Sequence, residues 1–288
     1  MKKATKRTLA VILVLAVAAV ACFVIFSESF GYYRFIAADY IKGLFDGAKT
    51  ETVDTKTVAV DSETLLGDLR TKISDSLILV NPEYGLPDSF DEGHVIEYSE
   101  GVYFHREMTE AFRNLSKEIS DRFGQKLFVM SSFRSAQSQA VIADQRGDWA
   151  AEEGHSEHQT GLAADIYVKY YAGAGFLKSK AGQWVNSEAD SFGFIIRYPY
   201  YGKSSTGFSY EPWHIRFVGL PHSEIIHGNR ITLEKYIFSL KPGNFYRYGK
   251  YIISRQPLAD EYSVPEQYMS LTFSPDNTGN VILTFEMQ

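Results

Sequence analysis

The sequence predicts an α+β fold, preceded by an N-terminal transmembrane helix and followed by a small C-terminal β appendage. Three observations carry this. Glu107 to Phe123 places Met108, Ala111, Phe112, Leu115 and Ile119 at helical spacing. Short apolar runs of strand length recur between Gly and Pro breakers from Leu77 onward. The segment Leu9 to Phe26 carries no charge and, at about 1.5 Å per residue, spans roughly 27 Å of bilayer.

The elements follow in chain order. Lys2, Lys3, Lys6 and Arg7 precede the apolar run and no acidic residue does. That bias makes residues 1–8 a cytoplasmic N-terminus, 9–26 a single-pass anchor, and the rest extracellular. A cleaved signal ending near Ala19-Val20-Ala21, or a lipoprotein box at Cys22, is the rival reading. Phe23 to Phe26 continues the apolar run against it. Residues 27–70 read as a stalk with a short helix near 35–45. Residues 71–240 form the main domain, opening with a buried strand at Leu77–Val80. The 107–123 helix ends at Gly124, and a strand at Leu127–Met130 leads into a helix from Ser135 through Ile142. Strands follow at 162–168, 194–198 and 213–218, with helices at 183–192 and 232–240. Pro242-Gly243 then breaks the chain. Residues 241–288 form the β appendage, with strands at 251–253 and 280–285.

With 288 residues and 45% hydrophobic content, the chain can build a substantial core. Beyond the four leading cations, 25 basic residues face 35 acidic ones, so the chain lacks the basic footprint of a nucleic-acid binder. Cys22 is the single cysteine, which excludes an intramolecular disulfide and a Cys-based zinc site. A metal here needs His and carboxylate ligands.

Two segments carry such groups: Ser156 to Asp165 (SEHQTGLAAD) and Tyr210 to His214 (YEPWH). A hydrolytic zinc keeps three protein ligands and one open position. His158, Asp165 and His214 can supply them, although His155 and His105 fit by proximity equally well. Asp165 sits in an otherwise apolar strand, where a lone buried carboxylate costs several kcal/mol unless paired or metal-bound. Glu211 lies three residues before His214, and Pro212 holds it in extended or turn geometry, so the pair is not a helical metal motif. From a loop, Glu211 can act as general base toward an activated water.

These segments resemble a known family. Ser131-Ser132-Phe133-Arg134-Ser135 with Gln139, then SEHQTGLAAD at 156–165, FGFIIRYP at 192–199, Thr206-Gly207 and YEPWHIRFVG at 210–219 are similar to the VanY-type D-alanyl-D-alanine carboxypeptidases, from about Leu77 to Leu240. The resemblance implies a small, mainly antiparallel sheet with packed helices, of the kind shared with VanX-type dipeptidases and the hedgehog domain. It implies a Zn²⁺ cofactor held by His158, Asp165 and His214, with Glu211 as catalytic base. It casts Arg134 as the cation that binds substrate or steadies the oxyanion, and Gln139, Ser156 and Trp213 as substrate-pocket residues, with Glu157 in support.

The implied partner is a peptidoglycan stem peptide ending in D-Ala-D-Ala, and the implied wider role is glycopeptide resistance. L,D-carboxypeptidase, D,D-dipeptidase and non-catalytic peptidoglycan-binding activities are the alternatives. The sequence departs from the family's Ser-Gly-Tyr-Arg at Ser132 and Phe133, and the Phe removes a hydroxyl. No serine is followed three places later by Lys, which excludes the serine D,D-peptidase mechanism.

Overall fold

The computed structural model describes residues 14–17, 20, 31–43, 47–48, 50–146 and 150–288. After helix α1 (Gly31–Gly43) come strands β1 (Glu51–Val53) and β2 (Thr57–Asp61), helix α2 (Ser62–Gly67) and strand β3 (Thr71–Ile73). A hairpin of β4 (Val95–Ser99) and β5 (Val102–His105) feeds helix α3 (Arg106–Phe123). Then follow β6 (Leu127–Ser131), α4 (Ala136–Arg146), β7 (Ala163–Val168), α5 (Lys180–Glu188), β8 (Phe194–Ile196), α6 (Lys203–Thr206) and β9 (His214–Phe217). Helices α7 (His222–Gly228) and α8 (Leu233–Ser239) lead to β10 (Phe245–Tyr248), β11 (Tyr251–Pro257), β12 (Glu261–Pro265), β13 (Ser270–Pro275) and β14 (Asn280–Glu286).

The central sheet has the order β6-β7-β9-β8 and is antiparallel throughout. Strand period two decides what each face carries. Ala164, Ile166 and Val168 of β7, with Ile215 and Phe217 of β9, pack against Met108, Phe112, Leu115 and Ile119 of α3 and Val185 of α5. Asp165, His214 and Arg216 are thereby left on the opposite face. There α7 and α8 pack through Ile225, Ile226, Leu233 and Ile237 against Ile195 and Val218. The α3 stripe is the one read from sequence, and it stops where Gly124 adopts φ 61°.

A second sheet has the order β1-β10-β11-β14-β13-β3, in which only the β13–β3 pair is parallel. Beside it, β2 pairs with β12. The stretch expected as a stalk, 27–70, thus supplies strands to the C-terminal β unit, which is built from both ends of the chain. The strand expected at Leu77–Val80 does not form. These residues are buried in irregular backbone whose groups are taken singly: Leu77 N–H by Ser274 Oγ at 3.2 Å, Leu79 N–H by Asp276 O at 3.2 Å, and Ile78 O by Arg216 at 2.9 Å. The helix expected at 183–192 begins earlier and ends in a separate 3₁₀ turn at Ala189–Phe192. No helix among the described residues is long and apolar enough to cross a membrane. Most of the expected anchor at 9–26, and Cys22, lie outside the described residues.

His222 ties the two units together. Its Nδ1 is 2.6 Å from the Tyr236 hydroxyl and its Nε2 is 3.1 Å from Thr284 Oγ1 on β14. Burial pushes its pKa down to about 3. Between the ordinary value near 6.5 and that point, the unfolded chain takes a proton that the folded chain refuses. Stability is therefore complete above about pH 6.5 and falls as pH drops, by at most about 1.4 kcal/mol per unit. Denaturant unfolding from pH 7 to 4 should show a steeper loss for the wild type than for His222→Gln. Equal slopes would remove His222 as the cause.

Candidate metal centre and catalytic cleft

The site is assembled on the face of the central sheet opposite α3. His158 sits in a 3₁₀ turn at Glu157–Thr160, closed by Gly161 at φ 69°. A Cβ on Gly161 would meet the backbone nitrogen of His105 at 2.7 Å, so glycine is required both for the backbone conformation and for the close approach. His158 Nδ1 lies 2.9 Å from Ser132 O. That contact keeps the proton on Nδ1 and turns Nε2 toward Asp165 Oδ2, 3.5 Å away.

Asp165 and His214 are direct cross-strand partners on β7 and β9. His214 Nδ1 stands 3.0 Å from Asp165 Oδ1. His158, Asp165 and His214 offer ligand atoms all within 4.8 Å of one another. Asp165 Oδ1 is buried, and its 3.0 Å approach to His214 Nδ1 lacks hydrogen-bond geometry. A carboxylate oxygen left in that state costs free energy that a cation would recover, so two imidazoles and one carboxylate fit Zn²⁺ well.

Electrostatics point the same way. Burial opposes ionisation of Asp165, but contacts with His158 and His214 outweigh it and hold the carboxyl far below the usual range. Burial pushes His158 down. Burial also opposes charge on His214, yet Asp165 and Glu157 lift it to about 9.

Glu211 is fixed by its own backbone. Its N–H donates to Tyr198 O at 2.9 Å, and its carbonyl accepts from His214 N–H at 3.0 Å. The resulting turn holds Glu211 Oε2 3.7 Å from His214 Nδ1. Burial raises its pKa, a change suited to a proton acceptor. Arg134 approaches from the other side, with Nη2 4.0 Å from Asp165 Oδ2. Ser131 Oγ accepts from its Nε and Nη2 at 3.2 and 3.0 Å, and Gln139 Oε1 accepts from Nη1 at 2.9 Å. Gln139 is buried and also donates to Ala151 O at 2.6 Å, so its visible work is to hold Arg134.

The eight residues singled out from sequence all line one cleft, joined by Met130, Tyr198 and Phe208. His155 and His105 lie elsewhere: His155 Nδ1 is 2.8 Å from Asn81 O, and His105 faces Asp75. Sequence reasoning missed Tyr198, whose ring centroid is 4.8 Å from that of His214. Its signal was its place in FGFIIRYP. The full role of Glu157 was also hidden. Burial alone would keep Glu157 protonated, but Arg197 and Arg216 hold it ionised, with Oε1 accepting from them at 2.6 and 2.7 Å. Its Oε2 faces His214 Nε2 at 3.8 Å, on the ring edge away from Asp165.

Comparison with known proteins identifies a family. Residues 101–220 match the family model described as VanY, D-alanyl-D-alanine carboxypeptidase. YodJ of Bacillus subtilis (strain 168), named as a carboxypeptidase, is 33% identical over 186 residues, covering 57% of this chain and 68% of its own length. Among solved structures, the D,D-dipeptidase VanXYg in complex with a D-Ala-D-Ala phosphinate analogue has TM-score 0.64 and 25% identity, over 81% of this chain and all of its own. A point mutant of the D,D-pentapeptidase VanY from a VanB-type resistance cassette, in complex with Zn(II), has TM-score 0.51 and 29% identity, over 57% and 99%. The LD-carboxypeptidase LdcB has TM-score 0.52 and 32% identity, over 57% and 86%. On sequence, fold and the residues gathered in the cleft, this chain belongs to the VanY family of D-alanyl-D-alanine carboxypeptidases.

Proposed function

We propose that this protein is a zinc-dependent D,D-carboxypeptidase that removes the terminal D-alanine from peptidoglycan precursor stems. The observation that carries the reading is the convergence of His158, Asp165 and His214 within 4.8 Å, in a cleft shared with Glu211 and Arg134. His158 through Nε2, Asp165, and His214 through Nδ1 would hold the ion. Bound there, zinc would supply Lewis-acid polarisation of a carbonyl and a lowered pKa for water.

The chain's own groups do the rest. Glu211 takes the proton of the attacking water and delivers it to the amine of the departing D-alanine. Arg134, braced by Ser131 and Gln139, meets the substrate's carboxylate or the developing oxyanion. Ser156 and Trp213 shape the pocket for the terminal residue. Trimming D-Ala-D-Ala removes the dipeptide that glycopeptide antibiotics bind, so a contribution to resistance belongs to the same proposal. The cationic N-terminus and uncharged run at 9–26 support a membrane-anchored enzyme working outside the cell, where such stems are exposed.

A second reading, L,D-carboxypeptidase, is favoured by the 32% identity to LdcB. Release of D-alanine from a pentapeptide ending in D-Ala-D-Ala, a tetrapeptide ending in L-Lys-D-Ala and free D-Ala-D-Ala separates the candidates. Pentapeptide turnover that a chelator abolishes and Zn²⁺ restores is expected. Binding without turnover would make the chain a non-catalytic module.

Glu211→Gln should keep its zinc and lose roughly 10²–10⁴ in rate. Turnover near the wild-type level would remove Glu211 as the base. His214→Ala should lose one equivalent of zinc together with activity, and zinc content equal to that of the wild type would refute its ligand role.

A further inference from the structure

A second group of imidazoles and carboxylates lies outside the catalytic cleft. Asp75, in the segment after β3, places Oδ2 2.9 Å from His94 Nδ1 and 3.2 Å from His105 Nε2. The two rings stand edge to face with centroids 5.3 Å apart, close to the 5.0 Å of His158 and His214. The donors of this trio also all lie within 4.8 Å of one another.

Each ring has a further carboxylate behind it. His94 Nε2 is 3.5 Å from Asp91 Oδ2, and His105 Nδ1 is 3.8 Å from Glu107 Oε1. Three carboxylates therefore surround two imidazoles. Lys72 lies 3.2 Å from Glu107 Oε2 on the outer side, while Arg106 donates to Gly93 O at 3.1 Å. Ser74 Oγ and the Asp75 N–H bind Glu107 at 2.6 and 3.0 Å, which fixes that carboxylate in place.

We propose that Asp75, His94 and His105 form a second divalent-cation site, suited to zinc. Two imidazoles and one carboxylate are a zinc donor set with a fourth position left for water. Asp91, behind the His94 ring, is the kind of carboxylate that orients a metal-bound histidine, while His105 is held through Nδ1, which accepts from the Glu107 N–H at 3.4 Å and caps α3. Binding displaces the ring protons that otherwise point at Asp75. His94 is 35% exposed and gives the ion an entry path, while His105 is 1% exposed and anchors it. The site joins the segment after β3, the turn before β4 and the start of α3. The His105 N–H also donates to Gly161 O at 2.8 Å, so a cation here braces the turn that carries His158.

The test counts ions without using activity. Full-length wild-type protein dialysed against Zn²⁺ should hold two equivalents by mass spectrometry. His94→Gln should hold one, His214→Ala one, and the double variant none. In the His214→Ala background, calorimetric zinc titration should show one site, weakened about 10–100-fold by Asp91→Asn. Asp91 is 67% exposed, so this variant keeps the test independent of any folding defect in His94→Gln. Zinc content unchanged by His94→Gln, or no binding in the His214→Ala background, would mean that Asp75 only hydrogen-bonds two histidines. Failure of the catalytic reading shows separately, as zinc content unchanged by His214→Ala.

Discussion

Four buried charges hold the rest of the structure to the turn that bears His158. Arg197, at the end of β8, joins Glu157 at 2.6 Å and Glu234 of α8 at 3.0 and 2.5 Å. Arg216 of β9 joins the same Glu157 oxygen at 2.7 Å and donates to Ser76 O and Ile78 O at 3.0 and 2.9 Å. Two anions balance two cations, and Asn81 adds a hydrogen bond to Glu234 at 3.3 Å. Replacing the whole set by apolar groups could be neutral, whereas removing one member strands a charge at a cost of roughly 3–5 kcal/mol. The arrangement is therefore all or none. Its yield is positional: the turn bearing His158, the strand bearing His214 and helix α8 share one set of bonds.

The same network makes sense of the sheet register. Arg216 and His214 alternate with apolar residues on β9, so the face that carries His214 also carries the cation that pins Glu157. A one-residue slip of β9 would bury Ile215 against the cleft and turn both polar groups into the α3 core. Burying two such groups unpaired would cost more than any gain from the slipped pairing. The Asp165–His214 pairing is thus held by the charges beside it as much as by the backbone ladder.

Much of this was legible in the residues. A carboxylate inside LAADIYV, and a histidine heading IRFV, mark polar groups that an apolar strand tolerates only with a partner. The α3 stripe and its glycine stop were equally readable. The C-terminal unit was not, because β1 to β3 are short and pair with strands nearly 200 residues away, leaving no local period. TVAVD at 57–61 alternates, but one alternating pentapeptide does not say which partner it meets. Leu77 to Val80 misled for a related reason: an apolar run reports burial, and here burial comes with side-chain and isolated backbone bonds instead of a ladder. The orientation of Gln139 toward Arg134 depends on a contact that spacing cannot express.

The two His–Asp clusters show why a donor set alone does not define an active site. Both have two edge-to-face imidazoles and one aspartate. Around His214 stand Glu211, raised by burial, and Arg134, reaching Asp165 at 4.0 Å, and the group opens on a cleft. In the second cluster Asp91 stands behind His94 and Glu107 beside His105, with Glu107 already occupied by Ser74 and the Asp75 N–H. An ion in the first place would have a proton acceptor and a guanidinium on its open side. An ion in the second would have carboxylates that only steady its ligands. The surroundings of each cluster, more than the cluster, assign chemistry to one and bracing to the other.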